Sequence, residues 1–313
     1  MKLSIIIPQY KESEQVLKSA LDSIENQKGI DLTDLEVIMV NGCSDVMPSK
    51  EFLSRYSYTI KLFKTPYDGG PGFSRQFGTD VAKGKYILYL DADDCLISCI
   101  SLRYIMNYKG NIDIIRGKFF NEGINKVDNG WTWFHGKFYK RKFLIDKNLR
   151  FNPAIRVNED ACFNAVARVV GKSIDIDEII TFWAKNPQSI TRSDKKFVVK
   201  CFDDFLKGKM WAFKRIRQEG KIDELRWALA DVFVYSYYYF MQKEYRGEFE
   251  AQERQEKLLM EIVKEFWNDF ATISESDWDI QLQNVFDYFK GYIEYRITET
   301  FDKFRARLYD YDI

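Results

Sequence analysis

Between residues 3 and 117 the chain repeats one pattern. A short apolar run ends at a polar break, and apolar residues then recur every three or four positions. Residues 3–7, 35–40, 59–63, 86–90 and 112–117 read as strands. Residues 14–26 read as an amphipathic helix with Val16, Leu17, Ala20, Leu21 and Ile24 on one face, and residues 73–82 as a second helix. Strands alternating with helices predict an α/β layer, a mostly parallel sheet with right-handed crossovers and both faces covered. Ligands of such sheets gather at the carboxyl ends of the strands. Pro8-Gln9-Tyr10, Asn41-Gly42-Cys43-Ser44 and Asp91-Ala92-Asp93-Asp94 all fall there.

After about residue 195 the period changes. Leu258, Leu259, Ile262, Val263 and Phe266 are spaced helically, as are Val285, Phe286, Phe289, Ile293 and Ile297. The expected division is a domain at 1–193 and an all-helical domain at 194–313, the latter for acceptor binding or self-association. The aromatic run Tyr235 to Phe240 reads more readily as core than as a carbohydrate or membrane platform.

The run Tyr86-Ile87-Leu88-Tyr89-Leu90 stands apart because it ends in Asp91, Asp93 and Asp94. A buried strand does not need such an ending. Carboxylates this close raise one another's pKa unless a divalent cation or a hydroxyl-rich ligand sits between them.

Charge and cysteine content narrow the classes. The chain has 47 Lys and Arg against 47 Asp and Glu, but residues 201–313 carry 17 against 23, leaving 30 against 24 before them. A mildly basic first part suits a phosphate-bearing small ligand and falls short of a general nucleic-acid binder. Five cysteines without a CxxC pair suggest neither a disulfide scaffold nor a zinc site, so a reducing, cytoplasmic setting is expected. The first apolar run is too short for a signal sequence, and no stretch reaches the ~20 apolar residues of a membrane span.

Five motifs in order carry a resemblance. These are Ser4-Ile5-Ile6-Ile7-Pro8-Gln9-Tyr10, Gly69-Gly70-Pro71-Gly72-Phe73-Ser74-Arg75, Gly84-Lys85-Tyr86 to Asp94, Asn158-Glu159-Asp160, and Ser189-Ile190-Thr191. Together they resemble the family 2 glycosyltransferases, whose catalytic domain has the GT-A nucleotide-sugar-binding fold. The glycine-proline loop and Gly136-Lys137-Phe138-Tyr139-Lys140-Arg141 look most like bacterial enzymes that decorate wall teichoic acids and capsules.

The resemblance implies an inverting, metal-dependent transfer of a sugar from a nucleotide-sugar, UDP-linked by preference, to an acceptor hydroxyl on a glycan or polyol-phosphate. Asp160 becomes the general base and Glu159 its neighbour for orienting the acceptor. Asp93 becomes the ligand of Mn2+ or Mg2+, with Asp91 holding ribose hydroxyls or the metal shell. Pro8, Tyr10, Asn41, Gly70, Arg75, Asp91, Ala92 and Asp93 would line the nucleotide-sugar site. Arg75 should offer its planar donor fork to diphosphate or base oxygens.

Other readings stand beside these. Asn158-Glu159-Asp160 also fits an ordinary helix cap, and Asp94 a cap or a supporting carboxylate. His135 is the only histidine and reads as packed or acceptor-contacting rather than as a base; Trp131 and Trp133 fit either sugar stacking or burial. Asn41-Gly42 stands where the family usually has an Asp pair that reads uracil, so the base is less secure; Asp45 is a distant substitute. Gln188-Ser189 replaces a histidine metal ligand of some relatives, and Arg192 could close over the diphosphate. The basic stretch from Lys195 to Lys221 would suit an anionic polyol-phosphate, nucleic acid being less favoured. The competing functions are an inactive nucleotide- or glycan-binding relative and a nucleotidyltransferase.

Overall fold

The computed structural model describes residues 1–186, 197–242, 245–290 and 299–309. Ser189-Ile190-Thr191, Gln188, Arg192, Lys195 and Lys196 lie outside them. The chain forms two compact units, Met1–Pro187 and Gln188–Ile313, divided a few residues before the expected boundary.

The first unit is built on one nine-stranded sheet in the order β3-β2-β1-β4-β8-β6-β9-β5, with β7 also pairing β6. Strands β1 (Leu3–Gln9), β2 (Leu35–Asn41), β3 (Thr59–Lys64) and β4 (Tyr86–Tyr89) are parallel, as expected. Gln9 pairs with Asn41 and Asn41 with Lys64, so these strands end level and their loops emerge on one edge. Beyond β4 the sheet becomes mixed. Strand β8 (Lys137–Lys140) runs antiparallel to both β4 and β6 (Ile114–Asn121), while β9 (Ser173–Trp183) is parallel to β6 and antiparallel to β5 (Cys95–Leu96).

Strand periodicity divides the first unit's core between the two faces of the sheet. Leu3, Ile5, Ile7, Leu35, Val37 and Met39 pack with Leu17, Ala20, Leu21 and Ile24 of α1 (Glu14–Glu25) in one cluster. On the opposite face Ile6 meets α3 (Gly70–Val81) at Gly78, where a Cβ would lie 2.5 Å from Ile6 Cγ2. Helix α3 begins three residues before the expected Phe73. Pro71 sits in its first turn, where a missing N–H costs nothing, so the glycine loop is in fact helix.

In the second unit, helices α7 (Phe197–Gln218), α9 (Phe249–Glu265), α10 (Trp267–Phe270), α11 (Glu275–Phe289) and α12 (Phe301–Tyr309) pack around α8 (Ile222–Phe240). The aromatic run is core: Tyr237, Tyr238, Tyr239 and Phe240 are buried, and Tyr239 stacks on Phe202 at 4.0 Å. The basic stretch is partly neutralised within the unit, because Lys214 and Arg217 pair with Glu265, Arg215 with Glu219 and Lys221 with Glu224. Among the described residues no helix is long and apolar enough to cross a membrane.

Candidate active site

Three elements of the first unit converge at the carboxyl edge of the parallel strands. The turn after β4 carries Asp91 to Asp94 and is closed by the Asp94 N–H donating to the Asp91 carbonyl at 3.1 Å. The end of β9 pins it from the other side: the Ala184 N–H donates to Asp94 Oδ1 at 2.9 Å and the Asn186 amide to Asp93 Oδ2 at 2.8 Å. Helix α6 (Glu159–Val170) supplies the third part.

Arg75, on α3, joins these parts. It is 5% exposed. One Nη donates to Asp91 Oδ1 at 2.5 Å and the other to Glu159 Oε1, while Cζ lies 5.1 Å from the centre of the Phe134 ring. Arg75, expected to turn its fork to the nucleotide, in this structure gives one N–H of each Nη to a carboxylate of the site. The carboxylates after β4 and those opening α6 meet across one small cavity lined by Arg75, Tyr89, Asp91, Phe134, His135 and Asp160. Asn158, at φ 61, makes no side-chain cap to α6, and Asp160 Oδ1 accepts from the adjacent Ala161 N–H at 2.7 Å. The plain helix-cap reading does not hold at Asn158.

The other expected positions divide. Ala92 is buried and Pro8 half-buried, whereas Tyr10 is exposed with its N–H donating to the Glu12 carboxylate. Asn41 is fully buried. Its amide nitrogen lies within hydrogen-bond distance of Gln9 Oε1, Ser44 Oγ and the Val46 carbonyl, and its oxygen accepts from Ser44 N–H, so in this structure it shapes the loop. Asp45 is exposed beside Lys64. The Gly70 N–H, expected to be free for phosphate, donates to Asp68 Oδ1 at 3.0 Å, and Arg156 holds the other oxygen of Asp68 at 2.8 Å.

Three contributors lie outside the sequence reading. Glu12 sits close enough to Asp93 and Asp91 that, after burial, their charges help raise its pKa. Trp183 at the end of β9 stacks on His135. Lys137, wholly buried, donates to the carbonyls of Gly130 and Trp133 at 2.7 and 2.6 Å and so fixes the loop before β8. The alternation of β9, Ser173-Ile174-Asp175-Ile176-Asp177, is a legible strand signal that would have found Trp183.

Electrostatically the site is over-acidic, with one buried guanidinium facing Asp91, Glu159 and Asp160. Burial, opposed by Arg75, leaves Glu159 pushed up to about 7 and Asp160 raised as well. Burial likewise lifts Asp94 to about 6 against the pull of His135. For Asp91 burial is the largest single influence, but the Arg75 charge, His135 and the Arg75 hydrogen bond together outweigh it and hold the group low. A carboxyl raised in the folded state contributes stability below its unfolded pKa and loses it as pH rises through the folded value. Glu159→Gln is therefore expected to melt several degrees above the parent near pH 8 and to lose that margin near pH 5, because the Glu159 shift is worth at most about 3 kcal/mol. Melting curves at the two pH values check this; a margin that grows toward low pH would contradict it.

The donor set fits a hard divalent cation. Asp91, Asp94 and His135 place ligand atoms within 4.8 Å of one another. Both oxygens of Asp94 are occupied, by His135 Nε2 and Ala184 N–H. Asp91 Oδ2 and Asp93 Oδ1 take no part in the hydrogen bonds to Arg75 and Asn186.

A parallel α/β half, a mixed half and an acidic turn at the strand ends define a GT-A fold with a helical region after it. The fold matches solved structures along nearly the whole chain. Staphylococcus aureus TarS in complex with UDP superposes with a TM-score of 0.62 at 18% identity, covering 96% of this chain and 94% of that one. A mannosyltransferase from Pyrobaculum calidifontis in complex with GDP-Man and Mn2+ gives 0.52 at 12% identity, covering 98% and 84%. Residues 4–158 match the Glycosyl transferase family 2 model, so the chain carries a family 2 glycosyltransferase domain over those residues.

Curated relatives agree. A poly(ribitol-phosphate) beta-glucosyltransferase of Bacillus spizizenii is 30% identical over 199 residues, 56% of this chain and 31% of the relative. TarS of S. aureus, a poly(ribitol-phosphate) beta-N-acetylglucosaminyltransferase, is 31% identical over 198 residues, 56% and 34%. A GalNAc(5)-diNAcBac-PP-undecaprenol beta-1,3-glucosyltransferase of Campylobacter jejuni is 35% identical over 181 residues, 50% and 57%. The matched stretch spans less than two thirds of each of these relatives.

Proposed function

We propose that the chain is an inverting glycosyltransferase that moves a sugar from a UDP-sugar to a hydroxyl of a glycan or polyol-phosphate acceptor. The observation that carries this reading is the Arg75 bridge, which ties the Asp91 end of β4 to the Glu159-Asp160 start of α6, with Asp91 and Asp160 lining one small cavity. Leaving-group stabilisation and base catalysis need such an arrangement, one on each side of the anomeric carbon. TarS and the Campylobacter enzyme bear names of sugar transfer to a polyol-phosphate and to a lipid-linked glycan, which supports the acceptor class.

A bound Mn2+ or Mg2+, held by Asp91 and Asp93, would neutralise charge on the departing diphosphate. The chain's own groups do the rest. Asp160 takes the proton of the acceptor hydroxyl as its oxygen forms the new glycosidic bond, and the bond to the diphosphate breaks on the opposite face, so the anomeric configuration inverts. Glu159 orients the acceptor and, through Arg75, keeps Asp91 in register with Asp160. Asn186 holds Asp93, while Asp94, His135 and Ala184 hold the turn. The helical unit serves acceptor binding or self-association, and the protein acts in the cytoplasm.

The test is UDP release from a panel of UDP-sugars with Mn2+ or Mg2+. Asp93→Ala is expected to lower metal-dependent release by about 10²-fold or more, the scale of a lost transition-state charge contact. It should also weaken the stabilisation that UDP and metal give the parent in thermal shift. Unaltered turnover in Asp93→Ala would remove Asp93 from the site, and release of inorganic diphosphate from UTP and a sugar 1-phosphate, with no UDP formed from any UDP-sugar, would make the protein a nucleotidyltransferase.

A further inference from the structure

His135 is a residue to which the family resemblance gives no role and the proposed reaction only that of holding the acidic turn through Asp94. It is 8% exposed, packed between Trp183, stacked at 4.6 Å and 19°, and Phe119, tilted at 5.2 Å. Nε2 lies 2.8 Å from Asp94 Oδ2, and Asp94 is itself only 1% exposed and anchored by Ala184. The ring cannot turn over without breaking that bond and the stack. With Nε2–H given to Asp94, the neutral ring presents Nδ1 as a bare acceptor. Nδ1 is buried and has no partner.

A buried polar atom left unmatched is unfavourable, and most such atoms are satisfied. The ring borders the cavity it shares with Arg75, Asp91 and Asp160. Of those neighbours, Arg75 gives one N–H of each Nη to Asp91 and Glu159 and, like Nδ1, keeps one buried atom, Nε, without a partner; an O–H from a ligand would supply the donor that Nδ1 lacks. A cation is the competing partner, since Asp91, Asp94 and His135 place ligand atoms within 4.8 Å of one another, and the metal-concentration dependence of His135→Gln separates the two.

We propose that His135 is a specificity-determining residue whose Nδ1 accepts a hydrogen bond from a hydroxyl of the transferred sugar. The inference rests on the sugar-transfer reading above and adds the group that recognises the sugar rather than the diphosphate. A site built to pair a substrate hydroxyl discriminates steeply against an analogue lacking it. The Asp94–His135 bond acts as the brace that keeps the acceptor atom aimed.

The chain has a single histidine, so the test is available on the unmodified protein. Imidazole ¹⁵N spectra of the full chain, labelled at histidine, are recorded with Mn2+ replaced by Mg2+. Adding UDP-sugar is expected to shift the Nδ1 resonance, and adding UDP alone is not. His135→Gln keeps an amide donor for Asp94 and loses the acceptor at the Nδ1 position. It is expected to lower kcat/KM for the UDP-sugar by 10- to 100-fold. One deoxy-sugar donor should then be used equally by parent and variant, and His135→Asn, which restores an oxygen near the Nδ1 position, should recover part of the loss. An equal Nδ1 shift with UDP alone would overturn the proposal. So would a shift seen only with acceptor, a changed metal-concentration dependence in His135→Gln, or unchanged discrimination among deoxy donors. Failure of the parent to bind or turn over any UDP-sugar would fell the sugar-transfer reading itself, a separate outcome.

Discussion

Asp160→Asn is expected to reduce sugar transfer by about 10²–10⁴-fold, the usual contribution of a positioned general base. Nucleotide-sugar affinity should stay close to the parent value. The substitution is nearly isosteric, and Asn Oδ1 can still accept from the Ala161 N–H that Asp160 now takes at 2.7 Å. What is lost is the ability to accept the acceptor's proton. Burial raises the Asp160 pKa, against the pull of Arg75, so the acidic limb of kcat/KM should lie above the ordinary carboxylate range and vanish in the variant. UDP release with and without acceptor, together with calorimetric binding of UDP-sugar, separates chemistry from binding. If Asp160→Asn kept more than a tenth of transfer, the base would have to be sought elsewhere, with Glu159 the first alternative.

How much of this site was legible beforehand follows from what each residue's neighbours are. Asp91 to Asp94 could be placed because a strand that buries Tyr86 to Leu90 has to end where they stand, and parallel strands put that end beside Pro8 and Asn41. Arg75, Glu159 and Asp160 were singled out correctly as residues of one region, but not as a bridge, since no spacing rule says that positions 84 apart will share a hydrogen bond. Asn41 shows the reverse failure. Its side chain suits a base, yet in this structure it bonds within its own loop to Gln9, Ser44 and Val46, and a loop's internal bonds leave no periodic trace. The mixed half of the sheet was hidden for a related reason. Strand β5 has two residues and β7 three, so neither carries a pattern of its own, and β8 is recognisable only through the strands it joins.

Arg75→Met is expected to be the most destabilising single change at the site, about 3–5 kcal/mol, because it leaves buried carboxylates without their cation. For a unit the size of residues 1–187 that corresponds to a fall of roughly 10 °C in melting temperature. Turnover should be lost as well, since Asp91 and Glu159 would no longer be tied across the cavity. Lys cannot substitute: it keeps the charge but has no planar fork to reach both carboxylates, so Arg75→Lys should recover stability in part and activity hardly at all. The double variant Arg75→Met/Glu159→Gln distinguishes an over-acidic site from a merely damaged one. Removing Glu159 along with Arg75 takes away one of the carboxylates that lost its partner, so the double variant should melt several degrees above Arg75→Met while remaining inactive. Divalent metal should stabilise Arg75→Met by more degrees than it does the parent, the added charge standing in for the missing guanidinium. A double variant that melts no higher than Arg75→Met, with no gain from metal, would show that Arg75 acts by packing on Phe134 and not by holding negative charge in place.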